Sequence, residues 1–324
     1  MDEVLVSINC ITYNHEKYIA DALEGFLMQK TNFKYEILLH DDASTDKTAE
    51  IIRRYHARYP HLIKPMYQKE NQYSKGLRVS LINVARAIGK YIADCEGDDY
   101  WIDPYKLQKQ FDYMESNPEC SMCFHDAILV DNDKTYLGPF PGHYNRTTEV
   151  KDIKELIFIP TASRVYRKHF LDVQNIPEWY YKSPYGDFAS MLICSNHGYI
   201  YYINENMSAY RTNVPGSILY NARLRSKKNP EIRIDRLNSR INELLSYNEW
   251  SNFKNDSFVK EMILSEEFKK YSLERNFRQI SSKKYKSIRQ KMKFSIVLKI
   301  YTRCFIPRKV YQLLRKLKSA IIPN

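Results

Sequence analysis

Two short apolar runs, Val4-Leu5-Val6-Ser7-Ile8-Asn9-Cys10-Ile11 and Tyr35-Glu36-Ile37-Leu38-Leu39-His40, bracket a stretch in which Ile19, Leu23, Phe26 and Leu27 recur at helical spacing. That order predicts strand, helix, strand. A second helix is expected after Ser44 or Thr45 as N-cap, with Ile51, Ile52 and Tyr55 on one side, then a strand near 62–68 and a third helix near 77–88. Tyr91-Ile92-Ala93-Asp94-Cys95 is strand-like. Asp103-Pro104 makes an N-cap and first position for a helix that buries Leu107, Phe111 and Met114, and Met122 to Val130 forms another strand. Repeated alternation of this kind predicts an α/β, doubly wound, mostly parallel sheet with helices on both faces, which binds ligands beyond the carboxyl ends of its strands.

Gly, Pro, Asn and Thr mark 131–152 as an irregular loop, after which short helical and strand segments continue to Arg211. Residues 231–280 are polar with helical periodicity at Ile234, Leu237, Ile241 and Leu244. Beyond them Phe294, Ile296, Val297, Leu298, Ile300 and Tyr301 sit among Lys and Arg, and Val310, Leu313, Leu314 and Leu317 repeat at i, i+3, i+4, i+7. Four segments follow: 1–130, 131–225, a helical extension at 226–282, and a basic amphipathic tail at 283–324.

Charge sharpens this division. The formal charge is +12, yet thirteen basic residues and no acidic one lie from Lys283 onward, so the rest of the chain is close to neutral. Such a tail is attracted to anionic lipid by roughly 1 kcal/mol per basic residue near the surface. A nucleic-acid partner would need groove-reading or stacking elements on a basic face, and nothing beyond the tail's charge supports one. A solvated helix pair or a protein-binding surface would also accommodate it. Cys10, Cys95, Cys120, Cys123, Cys194 and Cys304 lie mostly in apolar runs rather than a dense framework, which suits a reducing cytosol. Cys120 and Cys123 have CxxC spacing but no second pair at zinc-finger distance, so they are expected as structural thiols. Met1 leads straight into an acidic pair and a strand, and no apolar run approaches about 18 residues, so neither a secretion signal nor a membrane span is predicted.

Asp94, Glu96, Asp98, Asp99 and Asp103 fall within ten residues at the end of a strand. Crowded carboxylates repel one another unless a cation lies among them, and acceptor-only oxygens suit Mg²⁺ or Mn²⁺, which can also bridge a nucleotide diphosphate. A solvated Gly-Asp-Asp turn would use the same residues. Thr12-Tyr13-Asn14 and Asp41-Asp42-Ala43-Ser44 end at the same edge of a parallel sheet, where a Tyr13 ring and an Asp42 acceptor could hold a base or ribose. Neither GxGxxG nor GxxxxGK[ST] occurs, which counts against dinucleotide oxidoreductases and P-loop enzymes.

Ser7 to Asn14 with Glu16, then Leu39 to Asp46, then Tyr91 to Asp99, together resemble the three signatures of inverting family-2 glycosyltransferases, and Tyr100 to Gln110 resembles their bacterial surface-polysaccharide branch. The resemblance is firm over about 1–130 and weaker to about 213. It implies a GT-A fold, with 1–130 as the nucleotide-sugar half and 131–225 as the acceptor and catalytic part. It further implies a nucleoside-diphosphate sugar donor, UDP-linked, and a glycan acceptor, while the basic tail suits a peripheral position and a lipid-linked acceptor glycosylated at the inner face of the cytoplasmic membrane. Carried over residue by residue, it places Mn²⁺ or Mg²⁺ on Asp98, with Glu96 as a further ligand or, like Asp99, a ribose or supporting group. Thr12, Tyr13, Asn14, Glu16 and Asp42 fall to the donor. Tyr185-Gly186-Asp187-Phe188 matches the step that carries the base, so Asp187 is the expected proton acceptor, a plain helix N-cap being the alternative. Two departures stand out: Glu96 opens the metal motif, and Asn213 stands where the family often has a histidine ligand. The Ala-Arg-Asn step before the acidic strand is missing, and neither Arg78 nor Arg86 aligns with it. His40 and His125 are expected as internally satisfied histidines. A sugar-phosphate nucleotidyltransferase would need a Gly-rich basic loop after Ile11, which is absent; a catalytically inactive sugar-nucleotide-binding or scaffolding protein would tolerate both departures.

Overall fold

Strands β1 (Val4–Thr12), β2 (Lys34–Asp41), β3 (Ile63–Tyr67) and β4 (Tyr91–Asp94) pair in parallel in the order β3-β2-β1-β4. The register sets Thr12 opposite Asp41 and Asn9 opposite Asp94, so three neighbouring strands end together. In this computed structural model residues 3–141, 147–148, 159–215, 217–229, 231–307 and 310 are described. The sheet continues through β9 (Val165–Arg167), β6 (Cys120–Val130), β10 (Tyr199–Arg211) and β5 (Tyr100–Trp101), with β7 (Tyr136–Pro139) on β6 and β8 (Thr147–Thr148) on β10. β6 and β10 run parallel, whereas β9, β5, β7 and β8 join antiparallel, so the sheet is mixed though mostly parallel.

Period-two alternation explains both faces. Val6, Ile8 and Cys10 of β1 bury with Ile37, Leu39, Tyr91 and Ala93 against α1 (Ile19–Leu27), Ile52 of α2 (Thr48–Arg58), and Leu107, Phe111 and Met114 of α4 (Lys106–Ser116). Each fully buried aliphatic or aromatic side chain there contributes about 1.5–3 kcal/mol. The opposite face presents Asn9 to α3 (Val79–Arg86), whose Asn83 Nδ2 donates to Asn9 Oδ1 at 3.0 Å and to the Leu38 carbonyl at 3.0 Å. α5 (Glu178–Lys182) precedes α6 (Gly186–His197), which packs on β6 and β10. Gly25 of α1 is required by close approach, since a Cβ there would lie 2.9 Å from the Trp101 backbone.

Two helix starts differ from expectation. Ser44 and Thr45 are drawn off by Asn14, and the Asp46 carboxylate instead takes the Thr48 N–H at 2.9 Å, so α2 opens at Thr48. Similarly, α4 runs from Lys106 with Tyr105 as its N-cap, while Asp103 Oδ1 accepts from Tyr105 N at 2.7 Å just ahead of it. Cys120 and Cys123 lie buried in β6 as free thiols. His125 is buried with Nδ1 2.7 Å from the Asp126 carbonyl, and burial holds its pKa well below the usual histidine value.

The chain forms two compact units, Met1–Arg223 and Leu224–Asn324, and α7 (Ile218–Lys228) spans the division. The second unit contains α8 (Glu231–Trp250), α9 (Asp256–Glu274), α10 (Phe277–Ser281), α11 (Lys286–Lys291) and α12 (Phe294–Phe305). Phe268, Ile280 and Tyr285 make a buried cluster there, and Ile300, Tyr301 and Cys304 of α12 pack against it. The neighbouring positions Phe294 and Leu298 are 80% and 50% exposed. The expected apolar repeat at Leu313, Leu314 and Leu317 lies outside the described residues. Among the described residues no helix is long and apolar enough to cross a membrane.

Candidate active site at the carboxyl edge of the sheet

The loops after β1 and β2 are stitched together. Asn14 N donates to Ser44 Oγ at 2.9 Å, Thr45 N donates to Asn14 Oδ1 at 2.8 Å, and His15 N donates to Thr48 Oγ1 at 2.8 Å. Glu16 N meets Asp46 Oδ2 at 3.0 Å, and Lys47 N returns to Glu16 Oε2 at 3.0 Å. Asn14 adopts a left-handed conformation (φ 55°), which asparagine tolerates, and so does Ala43 (φ 63°). The Asn14 and Glu16 side chains are thus engaged in shaping the rim, while the Tyr13 ring is left 43% exposed above it.

Asp42 is buried beside this rim. Its N–H donates to the Thr12 carbonyl at 3.0 Å, and its carboxylate accepts from Gln72 N at 2.7 Å and Tyr73 N at 3.0 Å. His40 backs it, with Nε2 3.5 Å from Asp42 Oδ1; burial lowers the His40 pKa, the carboxylate working against that shift.

The acidic loop continues the β1 edge through Gly97 N, which donates to the Ile11 carbonyl at 2.9 Å. A Cβ on Gly97 would lie 2.6 Å from Thr12 Oγ1 and 3.0 Å from His15 Nδ1, so only glycine lets the loop come this close. Both of those atoms are buried without a hydrogen-bond partner among the described residues. His15 Nε2 stands 3.9 Å from Asp98 Oδ2. Asp99 turns inward, accepting Arg211 N at 2.8 Å, and burial followed by the Asp98 charge raises its pKa well above the carboxylate range. Glu96 is half-buried and pushed up to about 8, first by desolvation and then by the charges of Asp98 and Asp187. Asp187 therefore shares one electrostatic field with the acidic loop, although 88 to 91 positions of sequence separate it from Glu96 to Asp99.

Asp187 lies in the first turn of α6 rather than at its N-cap, which is Tyr185, and an acidic side chain there is favoured by the helix dipole. Arg164 ties it to the loop: Nε donates to Asp94 Oδ2 at 2.9 Å and NH1 to the Asp187 carbonyl at 3.2 Å. Burial opposes the guanidinium charge, but Asp94 and Asp187 outweigh it and keep Arg164 protonated. Arg211 supports the other side, with NH1 donating to the Asp98 carbonyl at 2.6 Å, NH2 paired with Asp21, and its plane between the Tyr18 and Tyr100 rings. Arg78 donates to the carbonyls of Tyr180, Tyr181 and Ser183, pinning the approach to Asp187.

The structure brings Thr12, Tyr13, Asp42, Glu96, Asp98, Asp99 and Asp187 to one edge. Asn213, two residues past β10, is exposed with φ 59°. Among the described residues, no three His, Cys, Asp or Glu side chains stand close enough to hold a metal by themselves. His15, Arg78, Arg164 and Arg211 are the additions that sequence reasoning did not place in the site. The two arginines in apolar strand contexts, Arg164-Val165-Tyr166 and Ala209-Tyr210-Arg211, carried the signal, because a charge among apolar neighbours requires a buried partner.

Residues 7–173 match the family described as Glycosyl transferase family 2. The chain belongs to glycosyltransferase family 2. An uncharacterized protein of Mycobacterium tuberculosis is 42% identical over 164 residues, covering 50% of this chain and 47% of that one. The putative teichuronic acid biosynthesis glycosyltransferase TuaG of Bacillus subtilis is 32% identical over 136 residues, covering 42% and 52%. This glycosyltransferase family 2 chain therefore has a relative named for teichuronic acid biosynthesis, and it spans about half the length of these curated relatives. S. aureus TarS 1-349 in complex with UDP superposes with a TM-score of 0.59 at 18% identity, over 90% of this chain and 76% of that one, which shows the GT-A-like fold the resemblance implied.

Proposed function

We propose that this chain is a metal-dependent, inverting glycosyltransferase that moves a sugar from a UDP-linked donor to a hydroxyl of a glycan or lipid-linked acceptor in surface-polysaccharide synthesis. The observation carrying the reading is that Asp187 and the acidic loop meet at the sheet's carboxyl edge, where burial and then the charges of Asp98 and Asp187 raise the Glu96 pKa. Asp187 takes the proton from the acceptor hydroxyl as that oxygen attacks the anomeric carbon, and the diphosphate leaves from the opposite face. Tyr13 offers an exposed ring for the base, and Asp42 lies beside it in a fixed orientation. Arg164 keeps Asp187 in register with the acidic loop.

An anionic diphosphate cannot approach these carboxylates unaided, and the nearby guanidinium groups of Arg164 and Arg211 are already engaged by Asp94 and Asp21. The donor set fits Mn²⁺ or Mg²⁺, which are bound by one or two carboxylates with phosphate oxygens and water completing the shell. The Thr12 hydroxyl, without a partner among the described residues, packs against Gly97 in the same loop. Asp98, with Glu96, would hold the ion. When bound it neutralises charge on the departing diphosphate.

The basic C-terminal stretch supports a peripheral position on the anionic inner face of the cytoplasmic membrane, where a lipid-linked acceptor would be presented. Asp187→Asn tests the chemistry. Turnover should fall about 10²- to 10⁴-fold while UDP-sugar binding, measured by calorimetry, persists. Turnover within tenfold of the parent would reject Asp187 as the base.

A further inference from the structure

We propose that His15 is a protein ligand of the divalent cation, so that an imidazole nitrogen and the Asp98 carboxylate grip the ion from the two loops that meet at Gly97. The inference rests on the transferase site described above and adds a donor atom to it. His15 Nε2 is 3.9 Å from Asp98 Oδ2, with the two side chains only 14% and 13% exposed. That separation is too long for a hydrogen bond. It falls between the roughly 3 Å expected for adjacent ligands and the roughly 4.2 Å for opposite ligands of an ion with bonds of about 2.1 Å.

The ring is held in place. His15 N is anchored to Thr48 Oγ1 at 2.8 Å, its neighbours Asn14 and Glu16 are each bonded to the β2 loop, and the ring stands edge-on to Tyr18 at 6.3 Å. Beside the ring Thr12, 3% exposed, has a hydroxyl without a hydrogen-bond partner among the described residues, packed against Gly97. A side chain at 97 would collide with Thr12 and His15, so glycine is what lets the acidic loop close onto both. A mixed nitrogen and oxygen set of this kind favours Mn²⁺ over Mg²⁺, because imidazole suits the softer transition ions and Mg²⁺ prefers oxygen.

The test measures Mn²⁺ and Mg²⁺ binding to the full chain in the presence of UDP, by calorimetry and by electron paramagnetic resonance. Wild-type protein should show ¹⁴N hyperfine coupling to Mn²⁺. In His15→Gln the coupling should vanish and the Mn²⁺ dissociation constant should rise about tenfold or more, with a smaller change for Mg²⁺; His15→Asn provides a second variant, and thermal unfolding without metal confirms that each is folded. Absence of nitrogen coupling in the wild type, or unchanged Mn²⁺ affinity in both variants, overturns the proposal. If Asp98→Asn loses the ion while His15→Gln keeps it, His15 is excluded and the transferase reading stands. If nitrogen-coupled Mn²⁺ is present without sugar transfer, His15 remains a ligand and the transferase reading fails.

Discussion

Arg164 donates through Nε to the carboxylate of Asp94 at 2.9 Å, joining the residue just before β9 to the last residue of β4, where the acidic loop begins. Both side chains are under a tenth exposed, and Asp94 is further held by Asn9 Nδ2 at 2.8 Å. The other end of the guanidinium reaches the Asp187 carbonyl, so one side chain connects the donor edge to the proposed base.

Arg164→Met should strand the Asp94 carboxylate and cost about 3–5 kcal/mol of stability. Urea unfolding measures this, and Asp94→Asn in the same chain should restore part of the loss. A cost under about 1 kcal/mol would show that the pair is not the joint described here.

Lys106 is buried with Nζ 2.8 Å from Gln110 Oε1 and 4.1 Å from the centre of the Trp101 ring, and desolvation lowers its pKa to about 7. Unfolded, it titrates near its ordinary value of about 10.4, so between those limits the unfolded chain binds more protons and this group makes stability rise with pH. Lys106→Met should be more stable at neutral pH and should flatten that rise by up to roughly 1.4 kcal/mol per pH unit. Equal slopes for parent and variant between pH 7 and about 9 would contradict the assignment.

Removing everything after residue 282 would take away Tyr285, which is fully buried with Phe268 and Ile280. Point changes on α12 are the cleaner probe. Phe294→Ser with Leu298→Ser should weaken binding to anionic vesicles by roughly a hundredfold or more, since burying two large side chains contributes about 3–6 kcal/mol, and should shift folding stability by no more than about 0.5 kcal/mol. Undiminished vesicle binding would remove α12 as the membrane contact.

The long parallel strands were legible because their apolar runs and intervening helical spacing are local signals. β5 and β9 were not: Tyr100–Trp101 and Val165–Arg167 are too short to show a period, and each becomes a strand only through pairing with distant chain. The same limit governs the site. Asp98 and Asp187 lie in recognisable local patterns, whereas the approach of His15 to Asp98 spans 83 positions and has no local mark. Ser44 and Thr45 had the composition of helix caps, but bonds from Asn14 claimed them, and that competition is visible only in three dimensions.

The bonds between Asn14, Glu16 and the Ser44–Thr48 turn make the two loops beneath the Tyr13 ring a single stiff lip. A ligand entering this edge meets the two loops as one wall. Exchanging one half of the lip between homologous chains without the other would leave it unfastened.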